Sequence, residues 1–593
     1  MYPVQLIQLP LHPSSAWEPT GNIPLAPGIM AAAAGLPAEC VFPESLVNTV
    51  GDQALFDELK YRNPQLLGVT LYLWNTHRSI HLLRRLKLWK PELLVVAGGP
   101  EVTPDNLPLL NESSIDLFVT GEGESLAGDV LSVERLRSIL STGRKLLGPV
   151  TSTDPPDHWP DPYRTGHLAV KPGGSVHIES QRGCASLCSY CAYRRTSPVP
   201  RIVPADKVLE KIRMLRNRGA EELVFLDPTF NSRADLPALL SGMKDLGLSC
   251  FAEVKGDLVR SSAITDAFAA AGFNTLEVGL QTMNMEVLHS IGRGGSPVSV
   301  LNGASLLAES GVTPVMDLIL GLPGDSPKYI ESAAEELVSR KIHDQVQTFC
   351  LSVLPGTELK ASADSLGVKY SSTPPYTVTR SGSYTIRDLL LSREIISDIL
   401  GYDADPPPRP VLTDTFPGME IFVPEHGKVL APPSVRHGVL RINTEDAWSN
   451  RNPIVDRVKA RRETDPYCPL DVVLQSEQLF PLDLIEMLNE LPEQECYTTE
   501  KAKLYGVPGL LRLSVIASPA TDPVWLEECS KIALTVVRAN SPVSLPGGEI
   551  GLLLQGSHDL SMLSALYTSA PHLVFFTQRE LELLWNLDVL GLG

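Results

Sequence analysis

Several things are missing from this chain of 593 residues, and each absence removes a class of function. No apolar stretch approaches the roughly 18 residues needed to cross a bilayer, so no membrane span is expected. The amino-terminal run Met-Tyr-Pro-Val-Gln-Leu-Ile-Gln-Leu carries no basic leader, and no signal peptide is expected there. Positive charge is scarce: the net charge is −19, and the nearest basic run, Lys459 to Arg462, reads as a solvated helix face. A nucleic-acid-binding surface is therefore not expected. The nine cysteines fall at irregular spacing, which excludes a disulfide framework and points to a reducing, cytoplasmic setting.

Against that background one cluster of cysteines stands out. The run Arg-Gly-Cys184-Ala-Ser-Leu-Cys188-Ser-Tyr-Cys191-Ala-Tyr places three thiols on one short loop. With nine cysteines in the chain, chance would produce this Cys-x-x-x-Cys-x-x-Cys spacing about 0.002 times. Thiolates so spaced are those that hold an iron–sulfur cluster, and with no fourth cysteine at matching spacing one iron would stay open. The competing readings are a zinc knuckle or buried thiols. Zinc would want a second Cys/His pair at ligand spacing, whereas Cys468, Cys496 and Cys529 are scattered singles.

Proline-rich stretches divide the chain. One runs from about Pro149 to Gly174 and another from Asp403 to Pro417, and both read as linkers because proline continues neither ladders nor helices. The expected domains are 1–150, 151–402 and 403–593. In the first, Val4–Leu9, Leu66–Tyr72, Leu93–Ala97 and Leu117–Val119 read as buried strands, with a helix over Ser79–Leu88. Regular alternation of strand and helix predicts a parallel sheet whose ligands sit outside the carboxyl ends of the strands. The loops expected at those ends are rich in glycine and aromatic residues: Trp74-Asn75, Gly98-Gly99-Pro100-Glu101 and Gly121-Glu122-Gly123. The last does not match the dinucleotide fingerprint. A flavodoxin-like domain without ligand is the competing reading of this segment.

The second segment repeats the pattern, with strands at Glu222–Leu226, Ser249–Val254, Thr275–Leu280, Thr313–Leu320 and Val346–Val353. Helices are read over Ala205–Arg218, Ser262–Ala271 and Pro297–Ser310 between them. Parallel strands with crossover helices give a partial or complete α/β barrel, whose site lies at the strands' carboxyl ends. Polar residues gather there: Asp227 and Asn231, Glu253 and Lys255, Glu277 and Gln281, and Asp317 and Asp325. Tyr376 and Tyr384 read as a surface loop. The third segment is expected to be a further α/β domain, with runs at Leu470–Leu474, Leu510–Ala517 and Ile550–Leu554.

The cysteine run, with Tyr190 just before its third thiol, resembles the motif of the radical S-adenosylmethionine (SAM) enzymes. The glycine-rich loops before it, with the Asn22–Gly28 stretch, look like the cobalamin-binding domain that precedes many radical SAM domains. Resemblance to cobalamin-dependent radical SAM enzymes implies an α/β chain: a Rossmann-like cobalamin-binding sheet, a partial (β/α)6 barrel and a carboxyl-terminal domain of unknown role. It implies that Cys184, Cys188 and Cys191 hold a 4Fe-4S cluster. It further implies SAM held by Tyr190, Asp227, Glu253, Gln281, Arg293, Gly321 and Pro323. Cobalamin would lie against Trp74, Asn75, Gly98, Gly99, Pro100, Glu101, Gly121, Glu122 and Gly123. The chain departs from the family in lacking the Asp-x-His-x-x-Gly motif that supplies a cobalt ligand elsewhere, and neither His12 nor His77 has matching neighbours.

The implied activity is methylation of an unactivated carbon by a deoxyadenosyl radical and methylcobalamin. A small-molecule, peptide or lipid substrate and a flavodoxin- or ferredoxin-like electron donor would be the partners. A non-methylating rearrangement, cyclisation or ring contraction is the alternative chemistry, and a non-catalytic cofactor-binding module the alternative of another class.

Overall fold

The computed structural model describes the chain apart from residues 1–2, 14, 196, 198, 383, 427–431, 477, 542, 544, 546–548, 557–572 and 590–593. The chain divides into two compact units that do not follow chain order. One comprises Met1–Gln8, Ile23–Glu44 and Asn63–Pro406; the other comprises Leu9–Asn22, Ser45–Arg62 and Pro407–Gly593.

The first unit begins with five strands: β1 (Val4–Ile7), β2 (Leu66–Thr70), β3 (Leu94–Gly98), β4 (Leu117–Gly121) and β5 (Leu146–Val150). They pair in parallel and in sequential order. The largely apolar runs of β1 to β4 suit parallel strands buried on both faces, whereas β5, at the sheet edge, is partly exposed. The helix Thr76–Trp89 between β2 and β3 buries Leu82, Leu83 and Leu86, one stripe at helical spacing.

The barrel follows. After β6 (Ser175–Ile178), the short strands β7 (Gln181–Arg182) and β8 (Arg201–Ile202) form an antiparallel pair that closes the cysteine loop. Then come β9 (Glu222–Phe225), β10 (Ser249–Phe251), β11 (Glu253–Val254), β12 (Thr275–Gln281), β13 (Thr313–Leu320) and β14 (Gln345–Cys350). Their order is β6 beside β9 beside β10, and β11 through β14 in sequence, every pair parallel. Only buried Ala252 separates β10 from β11, so the arc has six strand positions, as a (β/α)6 barrel requires. The sequence reading missed its first strand, a four-residue segment too short to show a period. An antiparallel trio, β15 (Val368–Tyr370), β16 (Val378–Ser381) and β17 (Tyr384–Thr385), completes the unit.

One hydrophobic cluster holds the first sheet and the barrel together, joining Val4, Leu66 and Val119 to Val176, Leu276 and Met316. The proline-rich stretch 149–174, expected as a linker, is packed into this core. Tyr163 is 1% exposed, and its hydroxyl donates to the His177 carbonyl and accepts from the His177 N–H, both at 3.1 Å. The second proline-rich stretch does contain a unit boundary, at Pro406.

The second unit is a seven-stranded sheet, again parallel and sequential: β18 (Met419–Phe422), β19 (Gly438–Thr444), β20 (Leu470–Ser476), β21 (Leu511–Ala517), β22 (Leu534–Ala539), β23 (Ile550–Leu554) and β24 (Val574–Phe576). One face buries Leu440, Val472 and Val515 against helical Ile454 and Leu484. The other buries Val439, Val473, Val536 and Phe575 with Ala16 from the amino-terminal segment. Trp17 packs edge-on to Phe416 with ring centroids 5.3 Å apart.

The segment Ser45–Arg62 belongs here for an electrostatic reason. The Asp465 carboxylate accepts hydrogen bonds from the Gln53 N–H (3.1 Å), Ser434 Oγ (2.7 Å) and Arg461 Nη1 (2.8 Å). Gly51 stands so close that a Cβ there would lie 2.3 Å from Asp465 Oδ1. Among the described residues no helix is long and apolar enough to cross a membrane.

Candidate active site

The cysteine loop hangs from the β7–β8 pair. Gly183, the first residue after β7, has φ +86°, and a Cβ there would sit 2.4 Å from the Ser197 carbonyl oxygen, so only glycine turns the chain into the loop. Cys188 is buried; Cys184 and Cys191 are half-buried. The Ser186 N–H donates to Cys184 Sγ at 3.4 Å, and Thr229 Oγ1 lies at the same distance from it. Burial, with Cys188 and Cys184 nearby, pushes the Cys191 thiol up to about 11. A coordinated metal reverses that preference, because it deprotonates the thiol outright.

All three thiols line a cavity of about 240 Å³ at the carboxyl ends of the barrel strands. Among the described residues no three His, Cys, Asp or Glu side chains converge on the position of a single metal ion.

Three barrel strands contribute acidic side chains to the same cavity. Glu253, Glu277 and Asp317 line it from β11, β12 and β13, with Glu253 and Glu277 in direct register. Asp317 is hydrogen-bonded to Glu277 and is pushed up to about 9, first by burial and then by Glu277 and Glu253. Burial, with Glu277 adding to it, pushes Glu253 up to about 7. Arg293 is fixed beside them: its Nη2 donates to the Gly279 carbonyl at 2.5 Å, and its Nη1 reaches the Tyr190 hydroxyl at 3.5 Å. Gln281 holds φ +71° at an irregularity in the β12–β13 ladder, a backbone state that costs energy and collects at functional sites. Two buried oxygens in the cavity have no hydrogen-bond partner among the described residues: Asp317 Oδ1 and Gln281 Oε1. Unsatisfied buried acceptors are rare and mark places where a ligand donor belongs. Nearer the edge, Tyr193 and Phe349 line the cavity while 47% exposed.

Of the residues that the resemblance assigns to SAM, Tyr190, Glu253, Gln281 and Arg293 therefore line the cavity. Asp227, Gly321 and Pro323 do not. The Asp227 carboxylate is engaged by the Ser180 N–H (2.7 Å), the Gln181 N–H (2.9 Å) and the Ser180 hydroxyl, and so latches the approach to the cysteine loop. Gly321, at φ +90°, packs where a Cβ would lie 2.6 Å from Val378 Cγ1. Lys255, Glu277 and Asp317, read among the polar residues at the strand ends, line the cavity as well, whereas Tyr193 and Phe349 were not foreseen. Asp317 and Glu277 lie inside apolar strand patterns, where only their i, i+2 relation to other inward residues signals the barrel interior.

The loops of the first sheet also differ from expectation. Asn75 is fully buried and braces its own turn, accepting from the Tyr72 N–H at 2.9 Å and donating to the Thr70 carbonyl at 3.2 Å. Trp74 stacks on Tyr72, centroids 4.6 Å apart, and is 37% exposed. Glu101 accepts from the Tyr376 hydroxyl at 2.7 Å, and Asn106 Nδ2 donates to that hydroxyl at 3.2 Å. Tyr376 and Tyr384, expected on a surface loop, are 4% and 2% exposed. Glu122 is engaged by arginines flanking the cysteine loop. Gly99 and Gly121 serve close packing, for a Cβ would meet the Leu71 carbonyl at 2.5 Å and the Val150 carbonyl at 2.1 Å. Trp74 and Pro100 are exposed, and a Cβ at Gly123 would lie 3.4 Å from Met30 Cε. His12 lies in the segment that belongs to the second unit, and His77 in the first turn of the helix Thr76–Trp89.

Residues 178–337 match the radical SAM superfamily. The chain is 26% identical over 335 residues to the 2-(S-pantetheinyl)-carbapenam-3-carboxylate methyltransferase of Streptantibioticus cattleyicolor, covering 50% of this chain and 48% of that one. It is 26% identical over 337 residues to the cobalamin-dependent radical SAM methyltransferase TokK of Streptomyces tokunonensis, with the same coverage. The chain thus spans about half the length of these curated relatives. Among solved structures, the cobalamin-dependent SAM radical enzyme OxsB aligns with a TM-score of 0.49 at 12% identity, covering 66% of this chain and 65% of that one.

Proposed function

We propose that this chain, a member of the radical SAM superfamily through residues 178–337, is a cobalamin-dependent radical SAM methyltransferase acting on an unactivated carbon. The observation that carries the reading is the cavity: three thiols from one loop line a space of about 240 Å³ together with Arg293, Glu253, Gln281 and Asp317. The cluster would be held by Cys184, Cys188 and Cys191. When bound, the cluster and SAM supply a carbon-centred radical, and cobalamin supplies the methyl group.

The protein's part is to bind, orient and exclude water. Arg293, held by the Gly279 carbonyl, presents its remaining donors to a ligand carboxylate. Glu253 faces a ligand ammonium, and Gln281 Oε1 and Asp317 Oδ1 accept from ligand hydroxyls. Tyr193 and Phe349 line the outer part of the cavity with apolar rings, where the substrate would enter. In this reading the first sheet (within 1–150) carries cobalamin against Trp74 and the Gly98 and Gly123 backbone, the barrel (within 151–402) carries SAM, and the carboxyl-terminal domain (403–593) serves substrate recognition. Asn75, Glu101 and Glu122 support the cobalamin loops through their internal bonds. A small-molecule, peptide or lipid substrate, an external flavodoxin- or ferredoxin-like donor and a cytoplasmic location complete the proposal. The names of the relatives support it, as does the chemistry of the donor set.

The test is anaerobic purification with cluster reconstitution, comparing wild type with Cys188→Ala. About four irons per chain, bound cobalamin, and deoxyadenosine formed from SAM and reductant by the wild type alone support the reading. Iron without cobalamin sinks the methyl donor, and a product of unchanged mass favours rearrangement. Zinc in place of iron, with no SAM cleavage, sinks the whole reading.

A further inference from the structure

The two strands that close the cysteine loop set like charges against each other: Arg182 of β7 pairs directly with Arg201 of β8. Facing cations across an antiparallel pair are destabilising, and Arg201 is only 9% exposed. The charge that reconciles them comes from about 60 residues earlier. Glu122, 7% exposed in the loop after β4, accepts from both Nη1 (3.1 Å) and Nη2 of Arg201, and its carboxylate lies 3.3 Å from Arg182 Nη1. Glu124 and Glu179 complete the shell of Arg182 at 2.8 and 2.7 Å. On the other stem, Arg201 Nε donates to Ser197 Oγ at 3.2 Å, and Ser197 is the residue against which Gly183 packs. Two residues beyond Arg182 stands Cys184.

We propose that Glu122 is a positioning residue for the iron–sulfur site: one carboxylate from the first sheet holds the two stems of the cysteine loop at fixed separation and so sets where its thiols stand. This inference rests on reading that loop as a cluster site. It assigns Glu122 a role different from contact with a cofactor of the first sheet, and it makes the end of β4 a mechanical support of the barrel's cysteine loop. Removing the charge leaves Arg201 without a carboxylate and facing Arg182, which keeps only Glu124 and Glu179, and the stems separate. A carboxylate that merely added stability would leave the loop in place until the whole unit unfolded.

The experiment uses the full chain with Glu122→Gln, which keeps shape but not charge, and Glu122→Gln combined with Arg201→Gln. Glu210→Gln, which breaks the exposed Arg164–Glu210 pair, controls for loss of an arbitrary ion pair. Amide hydrogen exchange over residues 183–193 is measured in the metal-free protein. Iron content and the electron paramagnetic resonance spectrum of the reduced cluster are measured after anaerobic reconstitution. In E122Q, exchange in 183–193 is expected to rise at least tenfold while β1–β3 are unchanged, iron to fall below half of the wild-type value, and the spectrum to broaden; E210Q matches wild type. A lower melting temperature with unchanged loop exchange and spectrum overturns the proposal. The double variant, in which no second cation faces Arg182, is expected to recover loop exchange at least in part, and a double variant no better than E122Q also overturns the proposal. Failure of wild type to take up iron would sink the cluster reading, whereas exchange in the metal-free protein would still decide the role of Glu122.

Discussion

Asp317→Asn is expected to stabilise the ligand-free protein while weakening SAM binding. An aspartate ionises near 3.8 in the unfolded chain, but Asp317 is buried beside Glu277 and Glu253 and holds its proton to about 9. Taking up that proton on folding costs about 4 kcal/mol at pH 7 if the shift belongs wholly to Asp317. Because Glu277 shares it, about 2 kcal/mol is the gain expected when an amide removes the charge. The sign over pH follows from the raised value. The carboxyl contributes its full stability below 3.8 and loses it progressively as pH rises through about 9. Wild type and D317N should therefore unfold alike near pH 4, and the variant should be increasingly the more stable between pH 5 and 9. Urea unfolding followed by tryptophan fluorescence at pH 4, 6, 7.5 and 9 measures the gap. Titration of SAM into the anaerobically reconstituted protein should show affinity at least tenfold weaker, about 1.4 kcal/mol, the worth of one hydrogen bond to Oδ1. A gap that is constant with pH, or a variant less stable than wild type at pH 8, would refute the reasoning. Unchanged SAM affinity would detach Asp317 from the ligand.

Asp465→Ala leaves Arg461, 2% exposed, without its charge partner and should cost about 3–5 kcal/mol. Because it also frees the Gln53 N–H, limited proteolysis should cut within Ser45–Arg62 first, and cleavage elsewhere would count against the anchor. Residues 407–593 expressed alone should not give a cooperative thermal transition, since they lack Ala16 and the Ser45–Arg62 segment; supplying 1–62 in trans should restore it. Gly121→Ala, with a Cβ aimed 2.1 Å from the Val150 carbonyl at φ +88°, should destabilise the first unit by more than about 3 kcal/mol. The change is read by calorimetry, and a loss under about 1 kcal/mol would show that β5 yields freely.

The legible parts of this protein were those written in local spacing. The cysteine loop was readable because three thiols within eight residues have few other uses. The helices Thr76–Trp89, Ala205–Asn217 and Pro297–Glu309 fell within a few residues of the ranges that periodicity gave. Glu253, Gln281 and Arg293 were found because they end or follow strands that could be recognised. Glu277 and Asp317 were read only as members of the polar strand-end segments, with no ligand role of their own, since a carboxyl inside an apolar strand looks like a break in the pattern until the barrel closes around it. Glu101 and Glu122 were read as cofactor contacts from their glycine neighbours, whereas their partners, Tyr376 and Arg201, lie 275 and 79 residues away.

The sequence by itself determined the chemistry that can occur, because the ligand set of a cluster and the period of a strand or helix are properties of neighbouring residues. Only the tertiary structure decided which carboxyls share a proton, for burial and proximity shift a titration and both come from strands far apart in the chain. It alone decided that Leu9–Asn22 and Ser45–Arg62 join the carboxyl-terminal sheet. Such pairings follow from complementary faces and charges, Trp17 against Phe416 and Gln53 against Asp465, that no local pattern announces.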